Sequence, residues 1–466
     1  MASGNYDDRY RDYNPLDPFG DIGGIGGGFS GGGGGTGPAP EPMGDPAPEK
    51  TLQEMQVDEG ATLALAYGKH VVAGNLIEYS YSSGPPPALK FITALGEGPW
   101  EGVNVFSSQN QIYYGGQLLS ASGSSSTPGY KFHPGTYSSG TGDANQGTPQ
   151  FFPTSPTYSG TAYVEVLLDN TQSVEERPDK FKGVFKCLKV ANYNSSGTVT
   201  DAGSYSTNPA RVAADLLKRA GLLTRIDWPS WVTWRDYCDA TITWGAGNIT
   251  RFECHAAFTA GIDIVTALSV VTQTACTYWQ DDGQKIVFLP VIDNAVIDPN
   301  TTSPVHTFTT SNARNLSVIN NDRRQLPTGY TAKFRDIDDE YMTEVSVEYF
   351  DAELEDQVGA PNRIEISLPP MKRSQAERIC HYRTVLDGVC SVGIELIGYG
   401  DSSRVLPGDY ISIGHELVKT ISTDNYTALV TEAEDLPDAD GPGLRRIQAK
   451  LLKRAPYKDT AHTDPV

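Results

Sequence analysis

Helical periodicity is concentrated in one stretch, residues 207–275. Most of the chain around it reads as short β-branched and aromatic runs separated by glycine, proline and asparagine turns. This distribution gives an α+β chain dominated by strands. Asn208 is placed to cap a helix and Pro209 suits its first turn. Val212, Leu216 and Leu217 supply the apolar face, and Gly221 is a stop signal. A second helix is expected over Trp231–Ala240. A third is expected over Thr259–Thr274, with Ile262, Ile264, Val265, Leu268 and Val271 on its apolar side. A hairpin should follow over Tyr278–Pro290, turning at Asp281-Asp282-Gly283-Gln284. This order of elements contains no catalytic logic and reads as a compact structural module.

Four regions follow from the composition shifts. Residues 1–50 form a Gly/Pro-rich arm in which Tyr6, Tyr10 and Tyr13 stand among Asp and Arg, followed by Gly23–Gly28 and Gly31–Gly35. Such a segment cannot bury enough surface to offset its ordering entropy, so alone it should not fold. Its Tyr, Ile and Phe anchors leave open the alternative of an arm that docks on a neighbour. Residues 51–200 read as a β-rich domain with a long Ser/Gly loop at 121–160. Residues 201–300 are the α+β module. Residues 301–466 are again β-rich, with one helix at Ser374–Asp387.

The formal net charge of −21 argues against a nucleic-acid clamp, which needs clustered Lys and Arg. It suits a surface that must not hold passing DNA. The six cysteines form no C-x-x-C pair and read as buried thiols. No signal-peptide pattern opens the chain and no apolar run is long enough to span a bilayer, so synthesis in a cytoplasm is expected.

Residues that could carry chemistry do not form a constellation. His70, His133, His255, His306, His381 and His415 are scattered. In Cys254-His255 and Cys380-His381 the side chains diverge, so a metal would need partners from elsewhere. Asp336–Glu340 reads as a solvated acidic turn without the spacing of a calcium loop. The glycine tract lacks a P-loop ending and no Gly-x-Ser-x-Gly elbow is present. Glu253, Glu344, Glu348 and Glu365 are the carboxylates a glycoside hydrolase could use. Trp228, Trp231 and Trp234 could make a sugar platform, although their spacing suits packing of a helix start. No catalytic, cofactor-binding or metal residues are therefore assigned, and no cofactor is expected.

Several segments together resemble the central tail-tip hub of long-tailed bacteriophages, the group that includes the host-specificity protein J. Leu95-Gly96-Glu97-Gly98-Pro99-Trp100-Glu101-Gly102 is similar to an early turn of that family. Asn208-Pro209-Ala210, Tyr237-Cys238-Asp239, Arg251-Phe252-Glu253-Cys254 and the 278–290 hairpin follow its order. So do Ser374-Gln375-Ala376-Glu377-Arg378 and Leu406-Pro407-Gly408-Asp409. The resemblance covers about residues 90–120 and 205–420. It implies a baseplate-hub-like architecture with tube-like β-barrel domains, and a non-enzymatic virion protein that forms a homotrimeric ring at the tail tip. It further implies contacts with distal tail and tail-tube proteins, the tape-measure protein and tail fibre or receptor-binding proteins, with DNA passing through unbound. The family's long C-terminal receptor-binding region has no counterpart here, and the arm has no match in it. Both departures favour a hub and adaptor over direct receptor binding. A tail-associated polysaccharide or cell-wall hydrolase, and a carbohydrate-binding adaptor, are the alternatives.

Overall fold

The computed structural model describes residues 55–57, 62–83, 87–122, 127–136, 149–156, 158–169, 178–245, 247–258, 261–281, 283–291, 304–320, 323–339, 343–414, 418, 427–436, 443–452, 457 and 459. The arm, residues 123–126, 137–148 and 157 of the expected 121–160 loop, His415 and most of the strand expected at Val418–Ser422 lie outside them; within that loop, Gly129–His133 is a strand, against expectation.

The chain is α+β and β-dominated, with sheets curved as half-barrels. Its first part is organised on one long strand, Phe181–Tyr193, with which four others pair antiparallel: Lys69–Val72, Trp100–Val103, Ile112–Tyr114 and Val199–Tyr205. A four-stranded sheet faces it, in the order Gly129–His133, Thr161–Leu168, Ala88–Glu97, Asn75–Ser82. Seven of the eight residues of Thr161–Leu168 are buried, because both faces of that strand are covered. Phe91 meets Phe181 edge-on across the gap at 5.8 Å between ring centroids, and Trp100 meets Phe185 at 5.7 Å.

The helical module follows. Helix α1, Pro209–Arg219, begins where expected: Asn208 accepts the Ala210 N–H on its side chain at 2.9 Å. Gly221 lies just past its end, with φ +74°. Helix α2 spans Trp228–Asp239 and starts three residues earlier than the apolar pattern suggests. Asp227 caps it by accepting the Ser230 N–H, and Pro229 sits in its first turn. Helix α3 is Ile264–Gln273, shorter than expected, because Gly261 has φ +92° and Asp263 takes the N-cap position. The expected hairpin is present as Thr277–Asp281 paired with Ile286–Pro290. A small hairpin, Thr241–Trp244 with Gly247–Thr250, was not signalled by the sequence pattern.

Beyond the module, Gly329–Arg335 is the centre of a three-stranded sheet, antiparallel to Glu344–Phe350 and parallel to Arg363–Ser367. A short helix α4, Ala352–Val358, joins those two edges. Helix α5, Arg373–Arg383, packs on this sheet and runs on as a π-helical turn, Thr384–Val389. A six-stranded sheet completes the fold, in the order His306–Phe308, Tyr410–Ile413, Thr427–Asp435, Arg445–Leu451, Val392–Gly398, Ala313–Asn320. Arg445–Leu451 and Val392–Gly398 alternate strictly between buried and half-buried residues, as strands with one covered face do.

The buried apolar residues form two main clusters. The larger runs from Ala66 to Cys390 through both N-terminal sheets, the helical module and the α5 sheet, and takes in Leu429, Leu452 and Tyr457. The smaller lies within the six-stranded sheet, from Phe308 to Leu451.

Candidate functional site

The segments that carry no catalytic pattern prove to be joints. At Leu95–Gly102, Trp100 is fully buried and its indole N–H donates to the Glu97 carbonyl at 2.7 Å. A side chain at Gly98 would meet the Gly135 carbonyl at 2.3 Å, so the turn needs glycine for close approach. Glu97 pairs with Arg219 at the end of α1 at 2.5 Å, and Arg219 also holds Asp215, which accepts the Tyr67 hydroxyl. Glu97, Gly98, Pro99, Lys189, Asp215, Lys218 and Arg219 border a shallow surface cavity of about 340 Å³. At Leu406–Asp409, Gly408 has φ +92° and lies against Tyr278 and Leu289. That turn seats the six-stranded sheet on the module's hairpin.

The most connected joint is Arg251-Phe252-Glu253-Cys254-His255, which meets Ser374–Arg378 on α5. Gln375 accepts the Glu253 N–H and donates to the Glu253 and Thr274 carbonyls, at 3.0, 2.9 and 2.7 Å. This satisfies a bend of exposed-type backbone that would otherwise be buried without partners. Lys372 reaches the Glu253 carboxylate at 2.8 Å, and His255 Nε2 approaches its other oxygen at 3.4 Å. His255 Nδ1 accepts the Lys69 N–H at 2.9 Å, which puts the ring proton on Nε2, facing Glu253. Burial pushes the Glu253 carboxyl up, but the hydrogen bonds from His255 and Lys372 and the Lys372 ammonium prevail and hold it at about 2. His70, buried nearby, is pushed down to about 4, chiefly by burial.

On the other side of the same segment lies a closed ring of polar contacts, hereafter the clasp. Arg251 grips the Asp459 carboxylate through Nε and Nη2, at 3.0 and 2.8 Å. Asp459 accepts the Tyr457 hydroxyl at 3.1 Å, and that hydroxyl accepts from Arg378 Nη1 at 2.6 Å. Arg378 Nη2 closes the ring on the Arg251 carbonyl at 2.6 Å. Arg378 and Tyr457 have no exposed surface. The Arg378 guanidinium lies over the rings of Phe252 and Trp244, and Arg251 over that of Tyr237 at 4.1 Å. A buried guanidinium costs much desolvation unless fully paired, and here each is. The clasp thus ties α5, Tyr457 and Asp459 to the module.

The other candidate residues fall elsewhere. Glu344 and Glu348 are exposed on one strand and Glu365 on another; Glu348 pairs with Arg363 and Glu365 with Lys333. They do not converge with Glu253. Trp231 and Trp234 are fully buried: Trp231 donates to the Ala210 carbonyl at 2.7 Å, and Trp234 stacks on Phe288 at 4.7 Å. Trp228 is half-buried between Tyr193 and Trp231. The tryptophans are packing, and the sugar-platform reading falls. His133 is buried against Glu165, which also accepts the Gln150 and Phe151 N–H groups and so fastens that loop. His306 contacts Asn312, and His381 packs edge-on to Tyr349. All six cysteines are buried free thiols, as their sequence context suggested, and burial pushes Cys254, Cys276 and Cys380 up to about 12. Asp336 and Asp338 lie beside Lys69, while Glu340 is outside the described residues. Among the described residues no three His, Cys, Asp or Glu side chains gather as a metal site, and no helix is long and apolar enough to cross a membrane.

No protein-family model and no curated protein matches the sequence. Among solved structures, a chain in the virion of a native gene transfer agent particle superposes with a TM-score of 0.62 at 15% identity, covering 89% of each chain. This chain shares the fold of that virion chain. A tail protein from Neisseria meningitidis MC58 aligns over 84% of this chain and 96% of its own at 8% identity, with a TM-score of 0.34. The 43 kDa tail protein of prophage MuSo2 from Shewanella oneidensis aligns over 86% and 99% at 10% identity, with a TM-score of 0.30. TM-scores this low do not establish a common fold.

Proposed function

We propose that this chain is a non-enzymatic structural component of a virion, and specifically the central hub of a tail tip. In this reading three copies form a ring that caps the tail tube and organises the tip proteins. The ring would contact distal tail and tail-tube proteins and the tape-measure protein, and would seat tail fibre or receptor-binding proteins. DNA would pass through it without specific binding.

The observation that carries the reading is the fold shared with a gene transfer agent virion chain over 89% of both molecules. A second support is the use to which the motif residues are put. Arg251, Glu253, Gln375, Arg378 and Gly408 join elements to one another, as a scaffold requires. The net charge of −21 fits a channel that must not retain DNA, and predicts a lumen richer in Asp and Glu than in Lys and Arg.

Electron microscopy of purified particles, with native mass measurement of the isolated protein, tests the assignment. A three-copy ring at the tail tip with an acidic lumen is expected. A monomer that turns over glycan would overturn the proposal, and a basic lumen would remove the argument from charge.

A further inference from the structure

One edge of the first β region is free of charge. Asp, Glu, Lys and Arg make up 20% of the chain, yet residues 102–130 contain none of them and no histidine. At the chain-wide share, a stretch of these 29 residues would carry about six. The fold turns part of it into two hairpins on one edge of the long strand Phe181–Tyr193. Trp100–Val103 and Ile112–Tyr114 pair with that strand in succession, both opposite Lys69–Val72, and the chain leaves the edge between them. At the point of departure the Asn104 N–H donates to the Val184 carbonyl and the Val184 N–H to the Gln111 carbonyl, both at 2.8 Å. The Asn104 side-chain amide donates to the Gln111 side-chain carbonyl at 2.5 Å, and both residues are buried, so the base is clamped. The excursion itself, Val105–Phe106 paired with Gln109–Asn110, is exposed from Val105 to Gln109. Next along the edge, Ile112–Tyr114 turns back through Gly115-Gly116 into Gln117–Leu118.

Two features set the excursion apart from an ordinary surface turn. Its apolar side chains face water: Val105 is 56% exposed and Phe106 39%, and Leu118 of the adjoining hairpin is 39% exposed. Its tip is Ser107-Ser108, with φ +48° and +68°. Asn-Gly takes up such a left-handed pair readily, whereas serine resists it. Among the described residues this two-stranded ribbon pairs with no third strand. A ribbon of that kind is marginal in water, and strain at its tip persists where surroundings hold it.

We propose that this charge-free edge, Val105–Gln109 with Gln117–Leu118, is a surface through which one copy of the chain meets a second copy. The argument for that occupant is electrostatic. At a net charge of −21, two copies repel one another across any face of average composition. Like charges set against each other cost binding energy, so copies of an acidic chain come together best where charge is absent. A basic partner would be drawn to the acidic faces instead and has no need of neutral ground. Interface centres are depleted in charged residues and rich in apolar and aromatic ones, which is the composition around Val105, Phe106 and Leu118. The proposal rests on reading the chain as a component that assembles with itself, and adds where the copies touch. In the contact the ribbon gains the cover that it lacks in the single chain.

Crosslinking and sedimentation velocity of the full-length chain test this. All six native cysteines are buried, so Ser107→Cys supplies an accessible thiol that can carry a benzophenone maleimide. An equal mixture of light and isotope-heavy chains should give crosslinks that join light to heavy. Ser108→Asp, a residue that accepts the left-handed turn, should weaken self-association at least about tenfold. Thr243→Asp, the same charge on an exposed position of another hairpin, should change it less than about twofold. Self-association should also strengthen as salt is raised, because screening removes the repulsion between the remaining charges. If circular dichroism shows that Ser108→Asp does not fold, Phe106→Ser serves instead, with the same loss expected. Crosslinks that never join light to heavy, unchanged association in the tip variant, or a chain still monomeric at about 100 μM would each overturn the proposal. Association that persists in the tip variant would mean that copies meet elsewhere and would leave the ring assignment standing, which microscopy of particles decides separately.

Discussion

The two buried clusters are built on different principles. The small one lies within the six-stranded sheet, where Val392–Gly398 and Arg445–Leu451 alternate and the inward residues Ile394, Leu396, Ile447 and Ala449 fill the space. Alternation and strand pairing account for it. The large cluster gathers segments from residue 66 to residue 457, and polar links mark its seams: the clasp, the Glu253–Lys372 pair, and Gln375 on the Glu253 backbone. Apolar burial is non-directional and cannot by itself set the register of one element against another. Specific polar groups can fix it, at a desolvation cost that full pairing offsets. The comparison teaches where a change should act locally and where it should act at a distance.

The largest expected effect is Trp234→Ala. Removing a fully buried indole stacked on Phe288 should cost about 4 kcal/mol and lower the melting temperature of the whole large cluster, as followed by circular dichroism. Arg251→Ala should cost about 3 kcal/mol, since it leaves Asp459 with less than its full set of partners. Hydrogen exchange should then speed up at residues 374–378 while Val392–Gly398 stays protected; equal loss in both would erase the distinction between the clusters. Leu396→Ala should cost about 3 kcal/mol with the opposite pattern, protection falling in the six-stranded sheet and holding in α1–α3. Asn208→Ala, which removes the cap of α1, should cost about 1 kcal/mol in chemical denaturation.

The subtlest test uses pH, because the two regions hold carboxylates of opposite sense. Glu253 is held at about 2, below its ordinary value, by His255 and Lys372 against its burial. Its contribution to stability is present above about pH 4.5 and is lost as the pH falls toward 2. Asp409, at the turn where the six-stranded sheet meets the hairpin, is pushed up to about 6 by burial, which the Leu406 N–H and Arg445 only partly offset. Its contribution is present below about pH 4 and is lost as the pH rises through 6. Melting curves across pH 2–8 should therefore show Glu253→Gln flattening the acid limb and Asp409→Asn removing a fall near pH 6. If both variants change the same limb, the assignment of the two carboxylates is wrong.

What was legible in the sequence follows the same division. The α1 cap, the 278–290 hairpin and the alternating strands of the six-stranded sheet are local patterns, and the chain carries their signals openly. Helix α2 starts early because the Asp227 side chain and Pro229 outweigh the apolar pattern that pointed to Trp231. The Thr241–Thr250 hairpin and α4 were missed because strands of four residues and a helix of seven are too short for a period to stand out. The pairing that makes the clasp was not readable. Tyr457 and Asp459 look like surface residues near a chain end, and only tertiary contact brings them to partners some 200 and 80 residues away. One partial signal was present: Arg378 is followed by Ile379-Cys380 on the expected helix and, two residues before it, stands Ala376, so an apolar face runs beside it and an arginine there needs a partner.

The long strand Phe181–Tyr193 has a further consequence for how the chain can vary. Four strands read their register from it, on both of its edges. One residue inserted at its centre would turn every side chain beyond the insertion to the opposite face, so that half-buried Lys189 would take the side now held by buried Leu188 and Val190. The same insertion in the turn at 194–198 would disturb a single hairpin. Lengthening and shortening during divergence should therefore gather in such turns, leaving the strand's thirteen positions fixed in number even where their identities drift.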